Sequence, residues 1–332
     1  MKHSIINTQG KWINYLSFDS VHQWHEFVAL EHARKLSAHN RKLWSKLRAN
    51  TLHGLNNGTE WFGSPSPESI AELERHNRFL GMPLVSEVKK RIEKHLASFL
   101  ELLNQEVLPK PSLAYNDRGL GLFCFERAAM GLSPLVPTNF EQPLEKTICK
   151  LKLELNKQKV TTQVKQVYAH FENKQLATPA LRLFLLAGAN ANIEGNAMLY
   201  TGLACAILVE FMALRGVPVQ VHVLLGSSFQ DQSNMAAIRV KSFQETIDQN
   251  QLLLLSSDPR YFRYRGFQGI IALGNHFDLD VPSGLGEITP NMAKDFVAGY
   301  DEKAFVFEQC YSLESAVMQV EQVVAAYKTL RL

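Results

Sequence analysis

The sequence predicts an α/β protein in two parts: a helical N-terminal region with small β elements, residues 1–134, and a three-layer α/β sandwich over residues 145–332. Three observations carry this. Short apolar runs alternate with helix-like segments through the C-terminal half, the pattern of a sheet covered by helices. The N-terminal third instead repeats its apolar residues at helical spacing. Between them lies "LSPLVPTNFEQPLEK", whose prolines mark a linker.

The elements follow in order. "SIINTQGKWINYL" alternates around a Gly-containing turn and predicts a hairpin. A helix starts at Asp19 or Ser20, with Val21, Trp24 and Val28 on one face, and a second covers "NRKLWSKLRAN". Ser66 as cap and Pro67 at the first helical position predict a helix over "SPSPESIAELERHNRF". A longer one covers 84–104, with Val85, Val88, Ile92, Leu96 and Phe99 inward. "PSLAYNDRGLGLFCFERAAMG" reads as two short strands around Asp117–Gly121. Beyond the linker come strand "TICKLKLEL", helix "TTQVKQVYAHFENK", strand "LRLFLLA" and a long helix to Arg215. Strands "VPVQVHVLLG" and "AAIRVKSF", a helix near Glu245 to Leu255, strand "AFVFEQCY" and a helix from Ser312 complete the chain.

A formal net charge of only +3 removes any argument from global charge, so a polyanion site must come from local clusters. Cys124, Cys149, Cys205 and Cys310 are scattered in apolar runs without a C-x-x-C pair, which argues against disulfides and zinc and fits a reducing cytoplasm. No apolar leader follows the N-terminal Met, and the run "GLACAILVEFMAL" is broken by Glu210 and short for a bilayer span. The expectation is a cytoplasmic protein without membrane contact.

In an open α/β sheet, ligands sit beyond the carboxyl ends of strands. Here that place is the turn "AGANANIEGN". It lacks the spacing and lysine of a P-loop and the G-x-G-x-x-G of a dinucleotide site. A metal site of the Asp-x-Ser-x-Ser kind would need a carboxylate, but the positions hold Ala187, Ala189 and Ala191, or Gly188, Asn190 and Asn192. The turn is read as structural, with the two asparagines shaping it and capping the next helix. No metal and no cofactor is expected.

The runs "EWFGSPSPESIAELERHN", "LAYNDRGLGLFCFERAAMGLSP" and "LRLFLLAGANANIEGNAMLYTGLACAILVEFMALRGVPVQVHVLLG" resemble a family of bacteriophage proteins with a helical N-terminal part and a degenerate von Willebrand A-like (Rossmann-type) C-terminal part without a metal site. The triplet Trp61–Gly63 and the strand–Asn–helix turn are its most specific pieces. The chain is also similar in character to the single-stranded-DNA-binding RNA polymerase cofactor of Schitoviridae-type phages. That resemblance implies a protein that coats melted promoter DNA and recruits a phage RNA polymerase. It carries over no binding residue.

Two stretches suit a single strand on their own chemistry. "HARKLSAHNRKLWSKLRAN" supplies Lys35, Arg41, Lys42, Lys46 and Arg48 around Trp44, a stripe that neutralises phosphates. "DPRYFRYRGFQG" alternates Arg260, Arg263 and Arg265 with Tyr261 and Tyr264, and such aromatic faces stack on unpaired bases. An ordinary solvated helix explains the first stretch equally well, and core anchoring by Phe262 or Phe267 explains part of the second. A lysine run from Lys146 to Lys165 is read as an edge-strand face. Catalytic readings are poor: there is no H-E-x-x-H and no G-x-S-x-G, and Asp278 and Asp280 are read as turn residues. The expectation is a non-enzymatic single-stranded DNA-binding transcription cofactor. Its rival is a protein-interaction adaptor on the same fold, and a homo-oligomer stays open.

Overall fold

A computed structural model describes residues 2–8, 11–34, 36–57, 66–79, 81, 84–106, 112–116, 121–125, 128, 167–172, 179–189, 193–229, 232–289 and 291–331. The chain divides into two compact units, Met1–Leu108 with Thr178–Leu332, and Pro109–Ala177.

The first unit is built on a mixed six-stranded sheet. Its strands are β1 (Lys2–Thr8), β2 (Lys11–Phe18), β6 (Leu181–Leu186), β7 (Val219–Phe229), β8 (Gln232–Lys241) and β9 (Phe305–Phe307), in spatial order β1-β2-β8-β7-β6-β9. Strand β6 runs parallel to β7 and β9, whereas β8 is antiparallel to β7. From β6 onward the spatial order is third, second, first, fourth, the order of the first four strands of a Rossmann-type sheet, with the third strand reversed. The α/β sandwich read from the sequence is therefore the observed fold.

Alternation along the strands divides the core. Leu183, Leu185, Val221, Val223 and Ile238 face one layer, while Phe184, Leu186, Leu224, Met235 and Ala237 face the other. The first face is covered by α1 (Val21–Ala33), α4 (Val85–Glu106), α5 (Gly195–Ala213), α6 (Gln249–Ser257), α7 (Phe267–His276) and α9 (Leu313–Arg331). The second is packed by α8 (Met292–Tyr300), through Met292, Ala293, Phe296 and Val297. Helix α5 is apolar all round because it is buried all round. At 19 residues the whole helix, longer than the apolar run read from the sequence, is long and apolar enough to cross a membrane, but most of it lies inside the core.

The N-terminal hairpin departs from the expected boundary between residues 134 and 145. Strand β2 pairs in parallel with β8, from Trp12 opposite Gln232 to Phe18 opposite Ile238, so the N-terminal helices belong to the same unit as the C-terminal half. The open edge of β8 explains this, because a hairpin with alternating apolar residues satisfies its backbone groups. Two further elements differ. The helix predicted from Ser66 and Pro67 is only α3 (Ile70–Glu74), and it is capped by Ser69, whose Oγ accepts from Glu72 N at 3.2 Å. Within the predicted helix "TTQVKQVYAHFENK", Tyr168–Glu172 forms strand β5.

In the second unit, β5 pairs antiparallel with both β3 (Ser112–Asn116) and β4 (Leu122–Phe123), in the order β3-β5-β4. The two short strands read around Asp117–Gly121 exist, but they meet through β5 rather than each other. Strand "TICKLKLEL", the linker and the lysine run up to Lys165 lie outside the described residues.

Candidate nucleic-acid interface

Helix α2 (Ala38–Asn56) carries the first basic stretch. Ser37 caps it, with its Oγ accepting from Asn40 N at 3.1 Å, and a polar clamp fixes its start to the end of α7 and the segment that follows. Ser37 N donates to Asn275 Oδ1 (2.9 Å), Asn40 Nδ2 donates to the Leu279 carbonyl (2.9 Å), and Val281 N donates to Asn40 Oδ1 (3.0 Å). The Ser37 hydroxyl donates to Asp280 Oδ1 at 3.1 Å, and Asp278 has φ 55°, so both acids serve the turn. Leu43 then packs against Ile270, Ile271 and Val281, which leaves Arg41, Lys42, Lys46 and Arg48 exposed. Arg48 meets Glu74 at 3.4 Å, and Arg41 donates to the Leu36 carbonyl. The predicted stripe is thus a solvent-facing row, apart from Lys35, which lies outside the described residues.

Trp44 is half-buried and stacks on His32, with ring centroids 4.5 Å apart and planes at 22°. The pair lies along a groove of about 580 Å³ that also takes in His25, Arg48, Arg265 and Glu74. Arg265 comes from the second predicted stretch, over 200 residues away in sequence. The fold thus joins one member of that stretch to the first.

The rest of the second stretch is interior, and the stacking role expected of Tyr261 and Tyr264 is corrected here. Residues Tyr261–Gly266 form a π-helical turn in which Tyr261 and Tyr264 are both 0% exposed. Neither offers a ring face to a base. Trp24 Nε1 donates to Tyr261 Oη at 3.0 Å, and the same hydroxyl lies 2.8 Å from His25 Nε2. Burial, helped by the charges of Arg265 and His22, pushes His25 down to about 3, so the ring is neutral at pH 7 and accepts a hydrogen bond from the tyrosine hydroxyl. Tyr264 packs on Leu73, and its hydroxyl donates to Glu74 at 3.4 Å.

Two of the three arginines have partners inside the protein as well. Arg260 is buried and grips both oxygens of Asp258 at 3.2 Å, while His76 Nε2 meets Asp258 Oδ2 at 2.8 Å. Burial alone would raise the Asp258 carboxyl, but His76 and Arg260 outweigh it and hold it below the usual carboxylate range. Arg263 is buried and donates to the Ile193 carbonyl at 3.3 Å, and its burial lowers its pKa. The expectation of phosphate contact at Arg260 is therefore not met.

The described part of the turn after β6 is also internal. Gly188 has φ +107°, and a Cβ there would lie 2.8 Å from Phe262. Its carbonyl accepts from Gln309 Nε2 (2.7 Å) and from Tyr311 Oη (2.9 Å), and Gln309 also reaches the Ala187 carbonyl. The switch point between β6 and β9, where ligands usually sit, is thus occupied by the protein's own side chains. Asn190 and Asn192 lie outside the described residues, as does Trp61–Gly63. No motif announced Gln309 or Tyr311, because a plug needs only reach and a hydrogen-bond donor.

Residues 167–331 match the family model of a domain of unknown function (DUF7192). The match covers just under half of the chain, from β5 to α9, and so takes in the π-helical turn and the plugged switch point but not α2. No curated protein and no solved structure matches the chain.

Proposed function

We propose that the protein is a non-enzymatic single-stranded DNA-binding protein whose contact surface is the exposed face of α2 and the groove beside it. The observation that carries the reading is Trp44, half-buried in a groove with Arg48 and Arg265, on a helix whose Arg41, Lys42 and Lys46 are also exposed. Cations follow the phosphates of a strand, and an aromatic wall accepts a base that only a single strand leaves unpaired. Action as a phage transcription cofactor, bringing an RNA polymerase to melted promoters in the host cytoplasm, rests on the resemblance alone. The adaptor reading draws support from the second unit, where Leu122 and Phe125 are 81% and 75% exposed.

Fluorescence anisotropy with a labelled oligonucleotide, single-stranded and then annealed, separates these readings. Tighter binding of the single strand, weakened by Trp44→Ala, is the expected result. Equal affinity for both forms would reduce the surface to a nonspecific basic patch. Binding to neither form would favour the adaptor.

A further inference from the structure

Helix α2 borders two clefts, and the groove just described is only one. Trp44, Arg48 and Leu52 point to that groove at i, i+4 and i+8, whereas Leu43, Lys46, Leu47 and Asn50 line a separate cavity of about 420 Å³. The loop Ser283–Glu287 lines it too, together with Ala189, Phe267 and Arg263. It therefore lies just past the carboxyl end of β6, beside the plugged switch point. Gly286, with φ +75°, lets the loop approach Phe262 and Phe267; a Cβ there would sit 2.9 Å from the Phe267 ring.

The lining is chemically divided. Leu43, Leu47, Phe267 and Leu285 make an apolar wall, and Lys46, Arg263, Asn50 and Glu287 supply the polar groups. A small-molecule site is typically of this kind: mostly apolar, with a few convergent polar groups, in a cavity of roughly 300–1,000 Å³. Arg263 is held by its bond to the Ile193 carbonyl, so its guanidinium is fixed in place. Two cations call for an anion, but Glu287 would repel a bare anion and needs a donor opposite it. A ligand that meets all of these demands has a flat apolar ring, an anionic group and hydroxyl donors between them.

We infer that this cavity is a binding site for a nucleoside monophosphate, with the phosphate on Arg263 and Lys46, the base against Leu43, Leu47 and Phe267, and the sugar hydroxyls on Glu287. The ligand is either a free mononucleotide or the terminal nucleotide of a strand, since both present the same groups. The site shares Lys46 with the exposed face of α2 but nothing with the groove that holds Trp44, and it stands whether or not that groove takes a strand.

Titration calorimetry of the full chain with adenosine monophosphate, adenosine and inorganic phosphate tests it. The monophosphate is expected to bind at least about tenfold more tightly than adenosine or phosphate, because a charge-assisted pair adds to the apolar contact. Arg263→Gln should weaken it by roughly tenfold and Asn50→Asp, on the exposed rim, by roughly fivefold through an added like charge. The second variant decides the matter if the first fails to fold. Trp44→Ala should leave it unchanged. A 5′-phosphorylated oligonucleotide that competes with the monophosphate in Trp44→Ala protein more strongly than its unphosphorylated form would assign the site to strand ends, and equal or no competition would assign it to free nucleotide. No heat with the monophosphate, affinity unchanged in Asn50→Asp, or affinity abolished in Trp44→Ala would overturn the inference.

Discussion

Two stretches of this chain have nearly the same ingredients, cations interleaved with aromatic residues, and the fold treats them in opposite ways. In α2 the cations are exposed and a single aromatic, Trp44, lies at the edge of a groove. In the π-helical turn, Tyr261 and Tyr264 are fully buried and Arg260 is locked on Asp258. Spacing explains the difference. Leu43 and Leu47 recur at helical intervals, which leaves the opposite side of α2 to solvent. Tyr261, Phe262 and Tyr264 crowd into one turn and leave no outward face, so the arginines between them must find partners inside. Composition alone does not tell a stacking platform from a core anchor; the period of the apolar residues does.

The largest test of that contrast is stability. Tyr261→Ala removes a fully buried ring together with the acceptor of Trp24 and the donor to His25. Loss of a large buried aromatic typically costs about 3–5 kcal/mol, and urea unfolding should show it. Lys42→Ala should stay within about 0.5 kcal/mol of the parent, as surface changes do. A Tyr261→Ala protein as stable as the parent would mean that the turn is open to solvent after all.

Affinity should show the reverse order. Trp44→Ala is expected to weaken single-strand binding by roughly 1–3 kcal/mol, the usual worth of one stacked base, with the salt dependence nearly unchanged. Replacing Arg41, Lys42 and Lys46 one at a time should instead lower the salt slope by about 0.7 for each phosphate left without its cation. Anisotropy titrations across a salt series measure both. If Trp44→Ala changed the slope and Lys42→Ala did not, the division of labour proposed for α2 would be wrong.

How far these features could be read in advance depended on the kind of signal. The strands from Leu181 onward and helix α2 carry strong periodic patterns, and both appear where expected. Pairing between distant strands leaves no local mark, so nothing in "KWINYLSF" said that it would extend the sheet at β8. Tyr168–Glu172 is a strand because β3 and β4 flank it, a tertiary circumstance that outweighs its helical look. The row Arg41, Lys42, Lys46 and Arg48 was legible because exposure follows from helical phase. The meeting of Arg265 with Trp44 was not, since the fold alone brings the π-helical turn beside α2.

The last expected effect concerns His25, which touches both regions: it lines the groove and bonds to Tyr261. Its pKa falls from 6.5 to about 3 in the folded chain, so the unfolded chain takes up the proton first as pH drops. The stability contributed by the neutral ring is therefore complete above pH 6.5 and is lost progressively as pH falls toward 3. His222, pushed down to about 4 by burial and by Arg239 and Arg182, adds a slope over much of the same range. His25→Asn should flatten the pH dependence of unfolding between those limits without abolishing it, because His222 remains. Urea midpoints measured from pH 7 to pH 4 give the result. An unchanged slope in the variant would place His25 in water, on the α2 side of the contrast, and would separate the groove from the buried tyrosine behind it.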